Sequence, residues 1–584
     1  MATAPRQQDS AAMRPANDSQ IKLVTQLDAR VQSLDDIRYS WWLHWRELAE
    51  YLLPRRMRWL YPPGQNWNRG TPLNQNIINN TGTIAARTLA AGMLAGTTSP
   101  AKPWFRLAPT DKQLVEEYDV KVWLEEARNR MMRIMAASNY YTSKGVQLMD
   151  EVVFGTSPMF IYEHPEKVIH CYVPTPGEYY CSANGDFEVD SIYRRYPLTL
   201  SQVVSTFGLD ALPDDLRQQY ESGGGSLANE IAISHACEPN PGFSVDAGAG
   251  VDGYGVPKAM RFREVYWLWG RTGAPPLRIR GFWDKPFSVL RWDVFGNDAY
   301  GRSPGMDALG DVKQLQFEEK RKAQAIDKSV RPPMVADASM KNEPASLLPG
   351  AVTYVPQLNQ GVGFKPVFQV PPILTDLIRD IQGVEQRIRD TFFNGLFQIL
   401  PVDSAVRTAT EIDVRQQEKM ILLGPVLERN DTEGLGPDIK RIFAICARMG
   451  IFPPRPDSLK QTSLKIEYVS MLSELQRGSM TTAIERTLQL AGNLVAVTPD
   501  IMDNLDTDVM IREYGGMLRL DPRTMRPADG VAAIRQARSA QEQAAVGLQT
   551  GATLAQGAKT LSETDTSGQN LLAAMLGQIG GPGG

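Results

Sequence analysis

Apolar residues recur every three or four positions across Leu34–Leu53, where Ile37, Trp41, Trp45, Leu48 and Leu52 share one helical face. Pro54 closes that helix, and Arg55, Arg56 and Arg58 follow in an aromatic, Pro-rich loop. The Ala-rich stretch Ile77–Leu94 predicts a second helix, broken by Thr97-Thr98-Ser99-Pro100, and Val115–Ala137 a third. From Val152 to Val294 the pattern changes to short β-branched and aromatic runs between Gly, Pro and Asn turns. Strands are predicted at Phe160–Tyr162, Val168–Val173, Phe187–Tyr196, Ala259–Leu268 and Phe287–Phe295, with Pro239–Val256 as a Gly-rich loop.

Met306–Val330 then predicts a charged helix about 38 Å long at 1.5 Å per residue, stopped by Pro332-Pro333. A Pro-rich stretch follows, with strand-like Val352–Val355 and Val367–Val370. Leu374, Leu377, Ile381, Val384, Ile388 and Phe392 mark a second long helix, whose other face carries Asp376, Arg379, Asp380, Arg387 and Arg389. Two long helices around a compact β-type insert suit a hairpin that carries a small module away from the body. After the loop Gln398–Thr410, helices are predicted over Thr410–Met449, Met471–Leu494, Asp508–Leu518 and Gly530–Ala544, with no internal repeat. Gly547–Gly584 suits a flexible tail with one short apolar patch, Leu571–Leu576.

Composition narrows the function classes. A length of 584 residues is a prior of several domains. With 62 basic against 66 acidic residues, the net charge of −4 does not suit a chain that grips nucleic acid by bulk electrostatics. Residues 1–22 are polar, which predicts no signal peptide, and no uncharged stretch reads as a membrane span. Four cysteines make no disulfide framework and suit a reducing, intracellular origin.

The chemical motifs weaken when each is set against its requirements. Gly301-Arg302-Ser303-Pro304-Gly305 matches a nucleophile elbow between a strand and a helix. All four histidines (His44, His164, His170 and His235) precede Ser303, against the chain order such a hydrolase needs, and Pro304 removes an oxyanion-hole N–H. Gly248–Gly253 matches G-x-G-x-x-G, but its flanks cannot open the helix that a pyrophosphate needs. His164, His170, Cys171 and Cys181 have no zinc-site spacing. Asp500, Asp503, Asp506 and Asp508 lack the Gly and terminal Glu of a calcium loop. No phosphate-binding P-loop is present. Arg55, Arg56 and Arg58 beside Trp59 and Tyr61 suit a solvated or partner-bound loop better than a nucleic-acid site. Neither a cofactor nor a metal site is expected, and no catalytic constellation remains. A serine hydrolase using Ser303 and a channel-less scaffold or adaptor stand as the alternative functions.

Four motifs, in order along the chain, carry a resemblance. They are Trp45-Arg46-Glu47-Leu48-Ala49-Glu50-Tyr51-Leu52-Leu53-Pro54-Arg55-Arg56, Ala91-Gly92-Met93-Leu94 running to Trp104-Phe105-Arg106-Leu107, Tyr300-Gly301-Arg302-Ser303-Pro304, and Arg407-Thr408-Ala409-Thr410-Glu411-Ile412. From about Leu23 to Ala544 the chain resembles portal proteins, the head-to-tail connectors of short-tailed double-stranded DNA bacteriophages. The resemblance implies a mixed α/β, mainly helical fold. It divides the chain into a flexible N-terminus (1–22), a wing (23–303 and 410–470), two stem helices (304–330 and 374–397), a β-containing clip (331–373), a tunnel loop (398–409), a helical crown (471–545) and a flexible tail (546–584). It also implies a ring, usually of twelve subunits, at one capsid vertex of the virion, assembled in the host cytoplasm, with no enzymatic activity and no membrane partner. Expected partners are double-stranded DNA in the channel, the terminase large subunit, tail adaptor and tail proteins, and the major capsid or scaffolding protein. On this basis Gln398, Asp403, Ser404 and Arg407 are candidate channel residues, and Met340, Lys341, Asn342 and Glu343 candidate clip-interface residues.

Overall fold

The computed structural model describes residues 18–57, 74–330 (except 101–102, 112–113, 115–116, 246–247, 249 and 272), 334–335, 365–366, 374–397, 423–459, 464–468, 484–494, 505–517, 524–526 and 528–562. They fall into two compact units. The larger comprises Met1–Lys112 and Trp123–Met480, and the smaller Gln113–Val122 and Thr481–Gly584. The fold is mixed α/β. No helix among the described residues is long and apolar enough to cross a membrane.

Helix α1 spans Asp18–Tyr51 and begins well before the predicted Leu34, so residues 18–22 of the expected flexible N-terminus are helical. At 1.5 Å per residue it runs about 51 Å, and its two halves bury different faces. Leu23, Val24, Leu27 and Val31 pack on Tyr180, Tyr193, Ala236, Val265 and Trp267 of a β-sheet. Trp45, Leu48, Ala49 and Leu52 enter the main helical core. That core also takes α2 (Thr81–Thr97) and α4 (Tyr140–Phe154), which follows α3 (Tyr118–Ala137).

The β-rich section holds two antiparallel sheets. The first has the order β3 (Val168–Tyr172), β2 (Thr156–His164), β9 (Phe287–Arg291). The second runs β4 (Tyr179–Ala183), β5 (Val189–Thr199), β6 (Glu230–Pro239), β7 (Phe262–Leu268), β8 (Arg278–Phe282). Between β5 and β6, Thr199 opens helix α5 (Leu200–Phe207) with a capping box that includes Gln202; α6 (Asp214–Glu221) follows. A separate pair joins β1 (Phe105–Pro109) to β12 (Leu464–Tyr468).

Helix α7 (Pro304–Val330) and helix α8 (Leu374–Thr391) form the predicted long pair. Ile381, Val384 and Ile388 of the second are buried, as are Phe392 just after it and Leu309, Val312 and Leu315 of the first. Between them, β10 (Met334–Val335) pairs antiparallel with β11 (Lys365–Pro366). The predicted strands Val352–Val355 and Val367–Val370 lie outside the described residues.

Two predicted helices are interrupted. The second long helix stops at Thr391, Phe393 adopts φ +52°, and a short α9 (Asn394–Phe397) follows. The described part of Thr410–Met449 is two α-helices, Gly424–Arg429 and Gly436–Arg448, separated by a π-helical turn, Asn430–Leu435. Pro437 has no N–H to donate to the Glu433 carbonyl, and the widened turn absorbs that break.

In the smaller unit, residues 484–494, Thr507–Met517 and Ala528–Ser562 are helical. The last helix carries the chain well beyond Ala544, so residues 546–562 of the expected flexible tail are helical. Asp506 accepts bonds from the Asp508 and Val509 N–H groups and so starts a helix, and Asp508 pairs bidentately with Arg535. That is helix-terminus chemistry; Asp500 and Asp503 lie outside the described residues.

Candidate functional site: the turn into the long helix pair

The Gly301–Gly305 turn is built for packing. Gly155, which ends α4 with φ +80°, sits so close that a Cβ there would lie 2.0 Å from the Gly301 carbonyl oxygen. The Gly301 N–H donates to Thr156 Oγ1 at 2.8 Å. Ser303 is buried. Its hydroxyl donates to the Val153 carbonyl at 2.7 Å and accepts from the Met306 N–H at 3.1 Å. Pro304 then occupies the first helical position, where a missing N–H costs nothing. A Cβ on Gly305 would come 2.7 Å from the Val153 carbonyl oxygen. The motif therefore seats α7 on α4, and the hydrolase reading loses its nucleophile to a helix cap. Ser303→Ala is expected to cost about 1 kcal/mol of stability through the lost cap, read by denaturant unfolding, with fluorophosphonate labelling unchanged.

Immediately along α7, Gln316 locks the start of α2. Its Oε1 accepts from the N–H groups of Ile78 (2.7 Å) and Asn79 (2.9 Å), and its Nε2 donates to the Asn79 carbonyl at 2.9 Å. Asn79 Nδ2 in turn donates to Glu319 at 3.1 Å and Glu385 at 2.9 Å, tying α7 and α8 to one amide. Arg387 adds an ion pair to Asp311 at 3.1 Å. Of these positions the sequence pointed only to Arg387, on the charged face of the second long helix. The available signal was Gln316 four residues after Val312, on the apolar side of α7.

The other sequence candidates separate. His170 is exposed while its neighbour Cys171 is buried, as expected for opposite sides of a strand, and Cys181 belongs to the other sheet. His164 Nδ1 accepts two backbone N–H groups in the following turn. Asp252 folds the Gly-rich loop by accepting from the Tyr254 and Val256 N–H groups, and a strand rather than a helix comes next. Of the three expected loop cations, Arg56 turns inward to the buried Asp150 at 3.1 Å. Arg58, Trp59 and Tyr61 lie outside the described residues. So do the channel candidates Gln398, Asp403, Ser404 and Arg407 and the clip candidates Met340, Lys341, Asn342 and Glu343.

Comparison with known proteins supplies what the geometry alone does not. The family model described as "Bacteriophage head to tail connecting protein" matches residues 24–525. The chain belongs to that family. The "Portal protein" of Salmonella phage epsilon15 is 38% identical over 556 residues, covering 95% of this chain and 98% of its own. The "Probable portal protein" of Bordetella phage BPP-1 is 38% identical over 541 residues, covering 92% and 94%. A chain from the "Virion of native gene transfer agent (GTA) particle" aligns with TM-score 0.32 and 11% identity over 72% of this chain and 86% of that one.

In this head-to-tail connecting protein, the helix after the π turn is anchored by a buried charge cluster on α4. Lys144 Nζ lies 3.0 Å from Asp438 Oδ2 and 2.9 Å from Gln147 Oε1, and the Tyr140 hydroxyl donates to the same Asp438 oxygen at 3.1 Å. One turn on, Glu151 accepts from Asn430 Nδ2 at 3.3 Å, and its other oxygen has no hydrogen-bond partner. Burial pushes the Glu151 carboxyl up to about 8, against the Lys144 charge and the Asn430 bond, and burial holds Asp150 at about 7 against the Arg56 charge. The unfolded glutamate releases its proton near pH 4.5. Between pH 4.5 and 8 the folded state therefore binds more protons, and stability falls as pH rises. Glu151→Gln is expected to gain on the order of 2 kcal/mol at pH 8 and almost nothing at pH 4, measured as denaturant midpoints at the two pH values.

Proposed function

We propose that this chain is the portal subunit of a tailed double-stranded DNA bacteriophage. Copies assemble into a ring, twelve in number by resemblance, at one vertex of the capsid. Through that ring DNA enters during packaging and leaves on ejection. The observation that carries this reading is 38% identity to portal proteins across more than nine-tenths of the chain. The near-neutral charge agrees with it, since many strong phosphate contacts would stall a sliding duplex.

In this reading α7 and α8 are the stem, residues 331–373 the clip, residues 398–409 the tunnel loop and residues 471–545 the crown, with 23–303 and 410–470 as the wing. The role is structural and non-enzymatic. ATP hydrolysis belongs to a terminase docked on the clip, which later receives the tail adaptor, and the wing faces the capsid or scaffolding protein. The protein is thus assembled in the host cytoplasm and ends in the virion. Cells making the phage without this chain should yield heads lacking DNA and tails, and supplying it in trans should restore filled, tailed particles. DNA-filled heads formed in its absence would contradict the role.

The clip makes a separate expectation. Its Pro-rich composition suits a rigid module with edges open to pairing. Replacing Met340–Leu348 by a short Gly/Ser linker should leave rings intact while terminase binding, measured by co-sedimentation, drops to background.

A further inference from the structure

Helix α2 carries a single charge, Arg87, in seventeen residues. A helix so apolar all round is ordinarily buried on every side. Its inner face packs in the core through Ala85, Ala86, Leu89, Ala90 and Met93. Its outer face is open: Ile84 is 57% exposed, and Arg87 and Ala91 lie beside it. Among the described residues Arg87 has no hydrogen-bond or ion-pair partner.

A second open face runs along α7. Asp307, Gly310, Gln314, Phe317 and Arg321 recur at helical spacing and are all exposed. Phe317 is 57% exposed, with the Arg321 guanidinium 4.9 Å from its ring. At Asp307 this face opens into a cleft of about 500 Å³ walled by Trp41, Trp292 and Phe295 and edged by Asp293 and Asp298. Its single cation, Arg302, sits 3.7 Å from Asp307. Three carboxylates against one guanidinium leave the cleft acidic, and its aromatic walls suit a planar cation.

The two faces look away from one another. Val312, on the inner side of α7, meets α2 at Gly82, where a Cβ would lie 3.0 Å from the Val312 side chain. Two complementary patches on opposite sides of one subunit make a heterologous contact, the kind that closes into a ring.

We propose that the outer face of α2 in one copy seats on the α7 face of the next copy, with Arg87 in the aromatic, acidic cleft and Ile84 against its wall. The occupant is a second copy of this chain, and the proposal rests on the ring reading above. All four native cysteines are buried, so engineered ones report alone. Full-length Ala91→Cys/Gly310→Cys protein, oxidised after assembly, should give a ladder of covalent oligomers ending at the ring, while each single variant should not. Arg87→Glu should raise the concentration needed for half-assembly about tenfold, the equivalent of ~1.4 kcal/mol, and Asp298→Arg added to it should restore assembly. Normal rings from Arg87→Glu with no ladder from the cysteine pair would overturn the contact and leave the ring standing. A parent protein that stays monomeric by native mass spectrometry would remove the ring and the contact together.

Discussion

Lys144→Met is expected to destabilise the larger unit by about 3–5 kcal/mol, the cost typical of stranding one member of a buried ion pair. Lys144 and Asp438 are almost wholly excluded from solvent, at 1% and 0% side-chain exposure. Without the ammonium, the Asp438 carboxylate keeps only the Tyr140 hydroxyl, because its other oxygen already lacks a hydrogen-bond partner. The damage falls where α4 holds the helix after the π turn, against which Gly434 is packed so tightly that a Cβ would lie 2.3 Å from Leu290 and 3.3 Å from Lys144 Nζ. The double variant Lys144→Met/Asp438→Leu should lie nearer the parent than either single change, since it removes the stranded charge. Denaturant unfolding at fixed protein concentration checks this, because assembly shifts apparent stability by mass action. A loss under 1 kcal/mol for Lys144→Met would show that water reaches the site.

The second large effect concerns residues 398–409. By sequence, Pro401 lacks the N–H that an unbroken helix would need, and the segment offers Asp403 and Ser404 with Arg407 as its single cation. In the proposed ring, one such cation per subunit would make a belt of weak, salt-sensitive phosphate contacts in place of a grip. Deletion of Pro401–Ala405, or Arg407→Ala, should spare ring assembly, while DNA retention in filled heads falls much more than the rate of filling. Nuclease protection of packaged DNA over time separates the two. Full-length DNA held as well as in the parent would make the segment a plain connector.

The long helices were legible because their apolar residues keep helical spacing and face one core. Ile381, Val384 and Ile388 are buried where the pattern put them. Helix α4 was missed for the opposite reason: it buries Lys144, Gln147, Asp150 and Glu151, so its inner face does not look apolar. Strand β6 hides in the same way, with Ser234, His235 and Glu238 inside the fold. His235 Nε2 meets Glu264 at 2.9 Å, and burial keeps its imidazole below the usual range. The first half of α1 looked polar because Leu23, Leu27 and Val31 form a narrow stripe whose partner is a sheet more than a hundred residues away. Ser303 shows how a motif match can mislead, since a helix cap after a tight turn and a nucleophile elbow share a sequence and differ in where the hydroxyl points.

Cryo-electron microscopy of the purified full-length protein decides whether this chain forms a portal ring. Twelve copies of the 64.8 kDa chain make a particle of about 780 kDa. End-on views are expected to show a closed ring around an open axial channel wide enough for a DNA duplex, with α7 and α8 side by side around that channel. Particles that remain monomers or dimers across salt and concentration, or rings closed at the centre, would contradict it.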